Sequence, residues 1–138
     1  LLLYYIDMKN YVIVLFLVAI CLSCSVFAKK EDKKWTKVNN YIYIDKSSIK
    51  KLNNSTTALV KLYNSPDRQI RDFEGNLAHY EIVQYEAYCK SNVLFINHFK
   101  YYNKNDELFS DEINNHNVGG DCKGYIDGEI ICKAICGD

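Results

Sequence analysis

Six cysteines and three histidines are the residues of this chain whose chemistry reaches beyond packing. Cys21 and Cys24 fall in an apolar N-terminal run, which leaves Cys89, Cys122, Cys132 and Cys136. Three uses of those thiols compete. A catalytic use would pair Cys89 with His98, and it needs Cys89 reduced so that a thiolate can form. His79, His98 and His116 otherwise belong to no nucleophile–base–orienter set, so the residues point to no reaction. A metal use is disfavoured, because Cys122, Cys132 and Cys136 lack the paired C-x2-4-C spacing of zinc sites. An even number of cysteines in an exported chain reads instead as two disulfides, with three pairings open. No cofactor and no metal is expected.

The element that must position Cys89 is Leu77 to Tyr102. Two runs rich in Tyr, Phe, Val and Ile, LAHYEIVQYEAYC and VLFINHFKYYN, flank the polar break KSN, which predicts a β-hairpin with Cys89 near its tip. A two-residue loop at Ser91-Asn92 would set Cys89 against Leu94, Ala87 against Ile96 and Tyr85 against His98. The opposite face would then pair Tyr88 with Phe95, Glu86 with Asn97, Gln84 with Phe99 and Ile82 with Tyr101. The first face is small and aliphatic near the tip and suits a closely packed helix. The aromatic set Tyr80, Tyr88, Phe95, Phe99 and Tyr101 has two readings. It packs the sheet against loops or the N-terminal arm, or it forms a protein-binding or dimer face.

Disulfides persist in an oxidising compartment, which requires export. Met8-Lys9-Asn10 precedes the apolar run YVIVLFLVAICLSCSVFA, and Val26 and Ala28 stand at the small-residue positions of a cut after Ala28. Residues 1–28 are therefore expected to be upstream residues and a signal peptide, with Met8 as the start. An uncleaved anchor is the competing reading, and Ser23, Cys24 and Ser25 argue against it. Membrane contact is expected only through this signal. Residues 29–34 (KKEDKK) read as a charged linker, and residues 35–138 as one domain with one modest core. Lys plus Arg equals Asp plus Glu at 17 each, and the first 28 residues remove only Asp7 and Lys9. Such neutrality gives no support for nucleic-acid binding. Twelve Tyr and a single Pro suit a sheet protein.

Within the domain, Tyr41-Ile42-Tyr43-Ile44 predicts a strand with Tyr on one face and Ile on the other, ended by Asp45. Ser47-Ser48 should turn the chain, and Thr56 to Tyr63 forms the next strand. Asn64 to Asn76 and Asp111 to Asp121 read as loops, with a turn at Asn103 to Asp106. The C-terminus, Gly124 to Gly137, reads two ways. As a helix, Asp127 would be the N-cap and Gly137 the stop, with Ile130, Ile131, Ala134 and Ile135 in one apolar stripe. As a strand, Ile130, Cys132, Ala134 and Cys136 would share one face.

Four fragments, taken in order, resemble the bacterial surface-adhesin protein E family. They are Tyr41 to Ile49 (YIYIDKSSI), the strand ending in Cys89, the strand bearing Phe99-Lys100-Tyr101-Tyr102, and Tyr125 through Ile130-Ile131-Cys132. The resemblance implies an α+β fold: a single antiparallel β-sheet of about four to six strands, short helices packed on one face, and a disulfide staple. It implies Cys89–Cys132, leaving Cys122 with Cys136. Because two of these cysteines depart from the family pattern, Cys89–Cys136 with Cys122–Cys132 remains open. It also implies an envelope or cell-surface location, host extracellular-matrix glycoproteins as partners, and a homodimer. A periplasmic binding or inhibitor module without a host target is the alternative. No catalytic residues come with the resemblance. For Gly124 to Gly137 the helix is preferred, partly because of it.

Overall fold

Alternation of buried and half-buried residues, broken only at Tyr80, which is buried at the start of β4, marks the centre of the molecule. It runs Thr56, Ala58, Val60, Leu62 inward in β3 (Thr56–Tyr63) and Glu81, Val83, Tyr85, Ala87 inward in β4 (Tyr80–Tyr88). A period of two with one covered face is what an antiparallel sheet with a single core requires. The computed structural model describes residues 34–115 and 118–137. The expected signal peptide, its cleavage point, Cys21, Cys24, His116 and the linker up to Lys33 lie outside the described residues.

Around these two strands stand β1 (Trp35–Lys37), β2 (Ile42–Lys51), β5 (Val93–Tyr102), β6 (Leu108–Ile113) and β7 (Gly119–Asp121). All pair antiparallel in the order β1-β2-β3-β4-β5-β6, and β7 pairs with β5 as well. The sheet thus has seven strands, one more than the upper expectation. The addition comes from the segment read as a loop: Asp111, Glu112 and Ile113 extend β6, and Gly119 to Asp121 pair with Val93 to Phe95. Backbone pairing to β5 overrides their polar, Gly-bearing composition.

β2 also runs further than its sequence suggests. Asp45 does not end it; the register slips between Asp45 and Lys50 and then resumes. Side chains stand in for the lost ladder there. Asp45 Oδ1 accepts from the Ser47 N–H and hydroxyl, and the Ser48 hydroxyl donates to Asp45 O while accepting from the Leu59 N–H. Such a bulge keeps backbone groups satisfied without a turn. Before it, Ile42 and Ile44 point inward while Tyr43 is half-buried, as the Tyr/Ile alternation requires.

The hairpin β4–β5 is present, but its register differs from expectation. The connection is Cys89 to Asn92, with Asn92 at φ 56°, so Tyr88 faces Val93 and Ala87 faces Leu94. Between Tyr85↔Ile96 and Gln84↔His98 one residue, Asn97, is left over. This bulge switches which residues of β5 point inward. Leu94 and Ile96 share the covered side near the tip, Phe99 and Tyr101 beyond it.

The C-terminal helix α1 (Gly128–Cys136) is bounded by Asp127 and by Gly137 at φ 74°, whose N–H donates to Lys133 O. Asp127 makes no side-chain cap; its carboxylate pairs with Arg68 instead. Ile131, Cys132 and Ile135 join Ile42, Val60, Val83 and Leu94 in one buried cluster, while Ile130 stays partly exposed. A single 3-10 turn, Cys122–Gly124, precedes the helix. Gly128 lets the two approach: a Cβ there would lie 2.1 Å from the Cys122 carbonyl oxygen.

Two disulfides hold this end. They join Cys89 to Cys136 and Cys122 to Cys132, with Cα separations of 5.7 and 6.4 Å, inside the range a bridge spans. The pairing Cys89–Cys132 with Cys122–Cys136, implied by the resemblance, is not the one formed. The reason lies in the helix: Cys132 and Cys136 are one turn apart, and the residue reaching the hairpin tip is the last one, while Cys132 faces the 3-10 turn.

Candidate functional site

The half-buried side of the sheet is the larger candidate. Directly opposed residues of antiparallel strands share a face, and Trp35, Tyr43, Lys61, Tyr63, Tyr80 and Tyr102 fall on this one. Their rings touch in series. Tyr43 and Tyr63 lie 5.7 Å apart, Tyr63 and Tyr80 5.3 Å, and Tyr80 stacks on Tyr102 at 4.8 Å and 10°. Lys61 Nζ sits 4.7 Å from the Trp35 ring centre and 4.9 Å from that of Tyr80. One ammonium between two aromatic faces holds both rings by cation–π attraction, on the order of 0.5–2 kcal/mol for each contact. His79 meets Tyr63 edge-on at 5.8 Å. Burial and the charge of Asp106 push the Tyr80 phenol well above its ordinary range, so it stays a neutral donor.

The five aromatic residues proposed from sequence do not share this face. Tyr80, Tyr88 and Phe95 do, and Tyr88 meets Phe95 edge-on at 5.5 Å near the hairpin tip. Phe99 and Tyr101 lie on the other side, because the Asn97 bulge reverses the alternation. There Phe99 stacks on Tyr101 at 5.9 Å and meets the exposed Phe73 at 5.6 Å. Tyr43, Tyr63, Lys61, Tyr102 and Trp35 were not singled out from sequence. The usable signal was the alternation of Tyr and Lys in the strands themselves.

A second cluster sits on the covered side. Glu81 lies between Leu62 and Tyr101 in the register and is only 9% exposed. Burial pushes its carboxyl up to about 7, and the Arg68 guanidinium pulls in the opposite direction. Arg68 pairs with Asp127 and donates to Tyr63 O at 2.7 Å, and its Nε is buried without a partner. Tyr85 shares the Glu81 side of β4, and burial drives its phenol up strongly.

The histidine–cysteine pair raised from sequence does not assemble. Cys89 is oxidised, and His98 Nε2 contacts Asp111 on the half-buried side, with Lys100 Nζ 3.1 Å from the same carboxylate. Among the described residues no group of three or more His, Cys, Asp or Glu could hold a metal ion. Among them, too, no helix is long and apolar enough to cross a membrane. The aromatic side offers stacking area, phenol donors and a few cations, the materials of protein recognition.

No protein-family model, no curated protein and no solved structure matches the chain.

Proposed function

We propose that the chain is an exported, disulfide-stapled binding domain of the cell envelope or surface, akin to the protein E adhesins. It grips a protein partner, a host extracellular-matrix glycoprotein, through the half-buried aromatic side of its sheet. In this reading α1 and the 3-10 turn are the short helices packed on one face, leaving the other for the partner. The observation that carries it is the run of ring contacts from Tyr43 to Tyr102 with Lys61 set between Trp35 and Tyr80. Rigid aromatics lose little conformational freedom on binding, and they dominate protein interfaces. The two disulfides are compatible with an oxidising, exported location. A homodimer forms in this reading by sheet extension along an edge strand.

The test is binding of the purified protein to immobilised extracellular-matrix glycoproteins, beside the variant Y88S/F95S. Loss of this aromatic pair, on the same side of the sheet near the hairpin tip, should weaken binding about thirtyfold. Failure to bind any of them refutes the adhesin reading. If the protein on intact cells is also shielded from added protease until the outer membrane is broken, the periplasmic module replaces it.

A further inference from the structure

The two disulfides differ in their access to solvent. Cys122 and Cys132 are 1% and 6% exposed. Cys89 is exposed and Cys136 half-buried. Cys89 lines two surface hollows. One, of about 150 Å³, is bounded by Lys51, Leu52, Ser55 and Lys90; the other, of about 190 Å³, by Asn92, Glu129, Lys133 and Cys136, and also by Cys132, which is only 6% exposed. Thiol–disulfide exchange requires an attacking thiolate to reach one sulfur, so access selects which bridge reacts.

We propose that Cys89–Cys136 is a thiol-exchange site for an external dithiol, reducible on its own while Cys122–Cys132 stays closed. The dithiol's thiolate attacks Cys89 Sγ, the Cys89–Cys136 bond breaks, and the electron pair leaves on Cys136 Sγ. The dithiol's second thiol then attacks the mixed disulfide and releases Cys89. Two electrons and two protons pass to the protein, and the dithiol becomes a disulfide. Lys51, Lys90 and Lys133 line the hollows against the single carboxylate of Glu129, a balance that favours both the incoming and the leaving thiolate. Opening this bridge unfastens the end of α1 from the hairpin tip. The middle of the helix remains tied, because Cys132 still holds Cys122 of the 3-10 turn. The covalent closure lost spans 47 residues, the one retained 10.

The oxidised protein is treated with limiting dithiothreitol, quenched with iodoacetamide at intervals, and mapped by mass spectrometry. A species alkylated at Cys89 and Cys136 alone should accumulate, formed on the order of tenfold faster than any product labelled at Cys122 or Cys132. Parallel arms with reduced thioredoxin and with reduced glutathione identify the source of thiol. Reaction with thioredoxin supports a protein dithiol as the reductant, and reaction with glutathione but not with thioredoxin overturns it. Labelling of Cys122 and Cys132 first, or of all four cysteines in step, overturns the proposal. Because the reaction is followed on the native protein, no variant has to fold.

Discussion

Replacing Glu81 with Gln should remove a pH dependence of stability that the native protein carries. The carboxyl lies against the core, and burial raises it from an ordinary 4.5 to about 7. The folded state therefore holds a proton over that interval which the unfolded chain has released. Stability consequently falls as pH rises from about 4.5 to about 7 and levels off above. The separation of the two values corresponds to roughly 3 kcal/mol. Asp45, Asp72, Glu86 and Asp111 are shifted the other way. They stabilise above their ordinary range and lose that contribution only as pH falls below it, through their lowered values, so pH 5 to 8 isolates Glu81. Gln keeps the shape and cannot ionise. Urea unfolding followed by circular dichroism, in half-unit steps of pH, gives both curves. Their difference should be small at pH 5 and approach about 3 kcal/mol in favour of E81Q at pH 8. Contributions common to both proteins cancel in that difference. Parallel curves across this window would show that Glu81 is solvated or paired in a way that leaves it ordinary.

Other outcomes follow from the same packing. Gly128→Ala sets a Cβ against the Cys122 backbone oxygen and should cost about 1–3 kcal/mol in urea unfolding, whereas Gly124→Ala, with open space around it, should cost far less. C89A/C136A removes a bridge of sequence separation 47 and C122A/C132A one of 10, so chain entropy predicts losses of about 4 and about 3 kcal/mol. Differential scanning calorimetry should rank the two in that order. Lys61→Ala withdraws the ammonium from between Trp35 and Tyr80, and it should loosen the Trp35 ring, read as a red shift in tryptophan emission with a stability loss of about 1–2 kcal/mol.

Much of the architecture was readable where a single local rule decided the outcome. Thr56 to Tyr63 alternates cleanly and forms β3 with those bounds, and Gly137 stops α1 as its residue type suggests, whereas Asp127 stands at the other boundary without capping it. Misreadings came where distant groups decide. Ser47 and Ser48 look like a turn, yet their hydroxyls serve β2 and β3 and keep the strand running. Asp111 to Asp121 looks like a loop, yet β5 offers it an unpaired edge. The aromatic side was legible only in part, because one surplus residue in β5 cannot be seen in composition. Without it Phe99 and Tyr101 would join Tyr88 and Phe95. Glu81 sits in an inward position of a regular alternation, and that position, rather than its residue type, was the available clue.

The surplus residue has a mechanical consequence. β5 leans on β7 from Val93 to Phe95 and on β6 from His98 to Tyr102, and the kink falls where one neighbour gives way to the other. Asn114 clasps this seam, its N–H donating to Asn97 O and its side-chain amide to Ile96 O. A pull on the outer margin of the ribbon would meet two short zippers in succession instead of one long one. Either could part while its neighbour held, so the outer margin can fray in halves without stripping the core strand bare.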